Sequence, residues 1–259
     1  MGEAAVSRKG TRAGTRPEDA ASEADASRKV REMFTKIAPR YDLLNHLLSL
    51  QMDRMWRART VRILRPILER PNAGILDLCC GTGDLSFALQ RKTKGRLWGA
   101  DFAHTMLERA KEKDAAEAGD GRRIPFVESD ALQLPFADHS FDLVTTAFGF
   151  RNLANYEAGL REIFRVLKAN GTAAILEFTE PKPGWFGDLY RWYFRAVLPR
   201  LGGLISGDRA AYSYLPSSVA KFLQPEDLAE LMGRNGFEKV QARVWTGGTV
   251  ALHTGVKRS

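Results

Sequence analysis

The spacing of hydrophobic positions changes near residue 74. Over 29–70 apolar residues recur at helical intervals: Met52, Met55, Trp56, Ile63, Leu64, Ile67 and Leu68. Two or more helices are expected there, and Pro66 is expected to kink or split one of them. Arg54, Arg57, Arg62 and Arg65 fall between the apolar positions and read as a solvated helix face; a membrane-surface or acidic-partner face is the other reading.

From Gly74 onward short apolar runs alternate with helical stretches. Residues 75–80, 96–102, 124–129, 142–147 and 173–178 read as buried strands, and 85–91, 105–118, 157–168 and 225–235 as helices. Strand and helix in alternation predict parallel strands joined by crossover helices. The end of the chain differs: 239–245 and 249–257 are two strands around Gly247-Gly248, a hairpin signal that predicts an antiparallel last strand. The fold class expected is α/β and Rossmann-like, with an N-terminal helical extension.

The 259 residues suffice for one sizeable core, so 29–259 is expected to form a single domain, with its α/β core from residue 71. Residues 1–28 are Ala, Ser, Gly and charge, and read as a disordered tail. They lack the apolar segment of a signal peptide, and Glu3, Glu18, Asp19, Glu23 and Asp25 are wrong for a transit peptide. No apolar run reaches the roughly 18 residues that span a bilayer, so a cytoplasmic protein is expected. Cys79 and Cys80 are neighbours and cannot staple a fold, and no His/Cys cluster has metal-ligand spacing. The net charge of +8 leaves nucleic acid, an anionic membrane surface, an acidic substrate and solubility alone as readings.

The candidate chemistry lies at strand ends. The first strand closes in Asp77-Leu-Cys-Cys-Gly-Thr-Gly-Asp84, where Gly81 and Gly83 permit close backbone approach to a ligand around Thr82. A full dinucleotide fingerprint needs a third glycine, so the short form suits a ligand without a pyrophosphate. Asp101 closes the second strand, where an acid about 20 residues downstream can accept from both ribose hydroxyls. Asp130-Ala131 closes the third; the acid can accept from an adenine amino group, with Phe102, Met106 and Leu132 as apolar walls, or else cap a helix.

These stretches, continuing as Asp130-Ala-Leu-Gln-Leu-Pro-Phe136, resemble the successive motifs of class I S-adenosylmethionine methyltransferases. Two further segments resemble the signatures of the UbiE/MenG quinone C-methyltransferases: Tyr41-Asp-Leu-Leu-Asn-His-Leu-Leu-Ser49 through Trp56, and Arg165-Val-Leu-Lys168, Gly171 and Leu176-Glu-Phe-Thr179. Phe148-Gly-Phe-Arg-Asn152 and Val250-Ala-Leu-His253 also match, so the resemblance covers roughly residues 30–257. It implies a seven-stranded, mostly parallel sheet and S-adenosylmethionine contacts at Thr82, Asp101 and Asp130-Ala131. It also implies methylation of a polyprenyl quinol ring carbon, demethylmenaquinol or the equivalent methoxy-benzoquinol. The family usually has His at Asp53, Lys-Pro-Gly-Gly at 168–171 and a small polar residue at Ala147, which leaves only backbone contact to the cofactor there.

A greasy substrate suits the aromatic, basic segment 184–205 within 182–215, read as a substrate lid or a membrane-surface contact at the inner face of the membrane, with a core helix plus a loop as the other reading. Carbon methylation requires an aryloxide to send charge onto the ortho carbon. Arg151 is the first candidate for stabilising that oxyanion, with a salt bridge as its structural alternative, and Asn152 is a candidate for orienting a water, or else for capping the following helix. Tyr41, Asp42, Asn45 and His46 are expected on a helix closing over the cofactor, and His46 is a candidate base, with a structural histidine in an apolar helix as the other reading. No nucleic-acid partner is expected, since Phe148-Gly-Phe-Arg-Asn152 stands where amino-methylating nucleic-acid enzymes often carry an Asp/Asn-Pro-Pro-Tyr/Phe run. A homodimer and a non-catalytic binding subunit remain open readings at this level.

Overall fold

The computed structural model describes residues 14, 17, 20–38, 49, 51–117, 121–182, 184–193, 196 and 209–258. Helix α1 (Glu23–Ile37) begins inside the stretch expected to be disordered. Ser22 caps it by accepting from the Asp25 N–H at 3.1 Å, and Glu23 and Asp25 complement the positive helix end. Acids that read as solvating a tail therefore start a helix, which buries Ala26 and Val30.

Helix α2 (Met52–Leu68) runs through Pro66 without splitting. The proline is in the last turn on the exposed side, where solvent can satisfy the carbonyl that its missing N–H leaves. Arg57 is not on a solvated face: it is buried and paired with Asp53 on its own helix and with Asp84. The helical spacing was right, but an inward acid pair decides where this arginine points.

Seven strands follow: β1 (Gly74–Leu78), β2 (Arg96–Asp101), β3 (Phe126–Glu128), β4 (Phe141–Ala147), β5 (Leu167–Phe178), β6 (Phe237–Trp245) and β7 (Val250–Lys257). Their order in the sheet is β3-β2-β1-β4-β5-β7-β6. The first five pair in parallel, and β7 inserts antiparallel between β5 and β6. The hairpin turns through Thr246, Gly247 and Gly248, all at positive φ. The other described α-helices are α3 (Asp84–Gln90), α4 (His104–Glu117), α5 (Tyr156–Val166), α6 (Trp185–Trp192), α7 (Arg209–Lys221) and α8 (Pro225–Arg234), with short 3-10 turns at Phe150–Asn152 and Thr246–Gly248.

Alternation along the strands divides the core between two faces. Ile75, Leu143, Ala174 and Leu176 pack with Trp56, Leu64 and Leu68 of α2 and with Leu85 and Leu89 of α3. Leu76, Val144 and Ile175 pack with Tyr156, Leu160 and Ile163 of α5 and with Leu228 and Leu231 of α8. Two expected boundaries move for local reasons. Strand β3 is shorter than 124–129, because Pro125 has no N–H to add to the ladder. Helix α5 stops before the expected Lys168, because Leu167 already pairs with Phe141 in β5. Lys257 Nζ donates to the Phe164 and Leu167 carbonyls at 2.6 and 2.8 Å, satisfying acceptors at that helix end.

With β2 and β3 on one side of β1 and β4 on the other, the chain reverses its sheet order between β1 and β4. In such sheets ligands bind beyond the carboxyl ends of the strands at that point.

Candidate active site

The carboxyl ends of β1, β2 and β4 open into one cavity of about 460 Å³, within the range of about 300–1,000 Å³ usual for small-molecule sites. It has two ends of different chemistry.

The first end is built by the turns after β1, β2 and β3. After β1 the backbone passes through positive φ at Cys79, Gly81 and Gly83. Gly81 and Thr82 line the cavity, whereas Gly83 stands behind the wall, where a Cβ would lie 2.8 Å from the Phe87 ring. Asp101 ties the turns together: Oδ2 accepts from the Gly81 N–H and Oδ1 from the Ala103 N–H, each at 2.9 Å. Asp130 caps no helix. Its Oδ1 accepts from the Leu132 N–H at 2.9 Å, closing a turn that brings Asp130, Ala131 and Leu132 to the cavity. Phe102, Met106 and Ala147 line it as expected. Helix α1 covers this end, with Phe34 edge-on to Phe102 and Arg31 over the same ring at 5.5 Å. Tyr41, with Asp42, Asn45 and His46, lies outside the described residues.

Buried acid dominates this end. Asp77 accepts from Ser86 Oγ at 2.6 Å and from Thr145 Oγ1 at 3.0 Å. Burial pushes its carboxyl up to about 7, against the opposing pull of those two hydroxyls and of Arg57. Asp101 is likewise raised by burial, opposed by its backbone donors. The Cys79 and Cys80 thiols are pushed up by burial. Ser129 Oγ is buried at the wall without a hydrogen-bond partner among the described residues. An acidic cradle with a waiting hydroxyl fits a cationic nucleoside such as S-adenosylmethionine.

The second end is aromatic. Phe148 packs on Phe178 with ring centroids 4.5 Å apart, and Trp56 closes on both. Tyr190 and Trp192 of α6, Tyr193 and Tyr214 complete the wall. Burial pushes the Tyr214 phenol up to about 12 and also raises Tyr190, so both are hydrogen-bond donors at neutral pH. Of the expected lid, 183, 194–195 and 197–208 lie outside the described residues.

Arg151 and Asn152 stand where the two ends meet, in the turn after β4. Arg151 takes the salt-bridged form: Nη1 lies 2.9 Å from Glu177 Oε1, and its backbone N–H reaches Glu177 Oε2 at 3.1 Å. Nε donates to Ser218 Oγ at 3.3 Å, and Nη1 also to the Phe148 carbonyl. Glu177, Ser218, Tyr214 and the Asp53–Arg57 pair were not read as site residues from the sequence. Glu177 alone had a signal, as the acid within the apolar run Leu176-Glu-Phe.

Residues 22–257 match the ubiE/COQ5 methyltransferase family. The chain belongs to that family. A demethylmenaquinone methyltransferase of Thermus thermophilus is 50% identical over 86% of this chain and 99% of its own. One from Deinococcus radiodurans is 45% identical over 90% and 95%. Among solved structures, a SAM-dependent methyltransferase from Thermotoga maritima superposes with a TM-score of 0.62 at 18% identity, covering 88% of this chain and 99% of its own. That likeness bears on the fold alone. For a member of this methyltransferase family, the two-ended cavity puts an acidic cradle and an aromatic pocket in one space.

Proposed function

We propose that this chain transfers a methyl group from S-adenosylmethionine to a ring carbon of a polyprenyl quinol, demethylmenaquinol in the last step of menaquinone synthesis. The observation that carries the reading is the continuity of one cavity from the acidic cradle to the aromatic wall, with Arg151 and Asn152 at the join. The names of the relatives favour the naphthoquinol ring over a methoxy-benzoquinol.

Bound in the cradle, S-adenosylmethionine supplies an electrophilic methyl group on a sulfonium. The protein's own part is positioning and charge. Asp101 has four lone-pair sites and gives two to backbone N–H groups, which leaves acceptors for a diol. Phe148 and Phe178 hold a flat ring against the wall and keep water from the methyl path. Arg151, backed by Glu177, and the Asn152 amide stabilise the quinol oxygen as its proton passes to water, which raises electron density at the ortho carbon; that carbon takes the methyl as the carbon–sulfur bond breaks, and its own ring proton then passes to water to restore the aromatic ring. The test uses methyl-13C S-adenosylmethionine and short-tailed demethylmenaquinol. The new methyl signal is expected on an aromatic carbon; a methoxy signal, or none, contradicts the reading.

The Asp77 carboxyl adds a pH signature. A cation bound beside it lowers its pKa from about 7, so binding releases a proton and tightens as pH rises through that value. At pH 6.5 the calorimetric enthalpy is expected to differ between phosphate and Tris buffers, and Asp77→Asn to abolish the difference. Equal enthalpies for the unaltered protein contradict this. In the free protein the sign reverses. A folded pKa above the unfolded one stabilises fully below about pH 4, and that contribution is lost as pH rises through 7.

The reading includes contact with a membrane surface, where the substrate's tail resides. Trp185 is 81% exposed on α6 and Trp192 60%, beside the exposed Lys182, and Trp192 is also at the cavity. Indole rings and a lysine suit an anionic bilayer interface. Among the described residues no helix is long and apolar enough to cross a membrane. Trp185→Ala with Lys182→Glu is expected to weaken binding to phosphatidylglycerol vesicles at least about fivefold in a flotation assay. Unchanged flotation removes this surface from the account.

A further inference from the structure

The turn that carries Asn152 is held by its backbone. The Asn152 N–H reaches the Gly149 carbonyl at 3.0 Å, the Arg151 N–H reaches Glu177, and the Tyr156 hydroxyl donates to the Arg151 carbonyl at 3.1 Å. None of these bonds fixes the Asn152 side chain. A primary amide can turn over, exchanging its acceptor for its two donors with almost no change of shape. Which end meets the cavity decides whether it offers a hydrogen bond to an oxyanion or repels it.

Helix α7 supplies the missing constraint. The Tyr214 hydroxyl donates to Asn152 Oδ1 at 3.2 Å, and one turn later Ser218 Oγ accepts from Arg151 Nε at 3.3 Å. Residues four apart share a helix face, so one face of α7 holds both side chains at the join of the cavity. Ser218 is fully buried and Tyr214 lines the cavity. The phenol is protonated at neutral pH, and burial raises its pKa further; because a phenol is a good donor and a weak acceptor while a carboxamide oxygen is a strong acceptor, the pair favours the arrangement in which Tyr214 donates.

We propose that Tyr214 is a positioning residue: by donating to Asn152 Oδ1 it turns the Asn152 Nδ2–H2 group toward the oxygen of the bound quinol. The substrate oxygen then meets a donor in every turnover, and α7 must be docked on the turn for that donor to be presented. The inference rests on the reading of Asn152 as an oxyanion donor given above.

The test is a double-mutant cycle on the full chain, read as kcat, KM and S-adenosylhomocysteine affinity. Tyr214→Phe is expected to lower kcat about 3- to 10-fold, as for one lost neutral hydrogen bond, with KM and cofactor-product affinity within twofold. Asn152→Ala is expected to lower kcat further, and the double variant to be no slower than Asn152→Ala alone. If Asn152→Ala is slow but Tyr214→Phe matches the unaltered protein, the positioning role is overturned and the reading of Asn152 stands. Penalties that multiply also overturn it, because Tyr214 then acts independently of Asn152. A fully active Asn152→Ala removes the donor reading and the inference with it. Asn152→Asp gives a second route that does not depend on how Tyr214→Phe folds. It keeps the bond from Tyr214 but has no donor, so its kcat is expected to fall as far as that of Asn152→Ala; near-normal turnover contradicts the proposal.

Discussion

Asp101→Ala is expected to weaken S-adenosylhomocysteine binding by at least about 100-fold, measured by titration calorimetry. Two losses combine. On the proposed reading the carboxylate accepts from a ribose diol, and each charge-assisted hydrogen bond to such a group contributes about 1.5–3 kcal/mol. The same carboxylate holds the Gly81 and Ala103 N–H groups, so its removal also leaves two backbone donors near the cavity without their partner. Asp101→Asn is expected to be nearly as damaging. The amide has one oxygen, and its NH2 must face one of those backbone donors. An affinity within tenfold of the unaltered protein in both variants takes Asp101 out of the cofactor site.

The second large effect is at Arg151. Its removal leaves Glu177 fully buried without its cation, and an orphaned buried charge of this kind costs about 3–5 kcal/mol. For a chain of this size that corresponds to a fall in Tm of about 6–20 °C. Arg151→Ala is also expected to lower kcat about 100- to 1,000-fold, the usual cost of one lost oxyanion donor. Stability and catalysis are separated by Arg151→Ala combined with Glu177→Gln, which removes the orphaned charge. The Tm is expected to recover in that double variant while kcat stays low. Recovery of both makes Arg151 a structural partner of Glu177 and nothing more. Arg151→Lys is expected to stay slow, because a single ammonium cannot reach Glu177, Ser218 and the Phe148 carbonyl together.

Much of the cradle is legible along the chain because its parts are local. Asp77, Asp101 and Asp130 each end or follow an apolar run, and the Gly81–Gly83 turn follows the first of them. The antiparallel β7 announces itself through Gly247-Gly248, where a tight connection between two strands needs positive φ. The acceptor end is legible only as composition. An aromatic segment at 184–205 says nothing of which rings face the cavity. The polar contacts that shape the join are long-range: Arg151 meets Glu177 on the next strand and Ser218 on α7, and Tyr214 meets Asn152. No periodicity encodes such partners. Arg57 shows the same limit, since its spacing matches the arginines around it and only its neighbours Asp53 and Asp84 turn it inward. The start of α1 was hidden for another reason. It buries little beyond Ala26 and Val30, so its apolar signal is weak, and its capping residues resemble those of a solvated tail.

The most direct measurement is methyl transfer from radiolabelled S-adenosylmethionine by the purified full chain, with short-tailed demethylmenaquinol kept reduced, and with the oxidised quinone and bulk RNA alongside. The account predicts label in the quinol and none in the quinone or the RNA, because only the reduced ring has a hydroxyl whose proton can leave beside Arg151 and Asn152. Equal labelling of the oxidised quinone, or label in neither form, would contradict it.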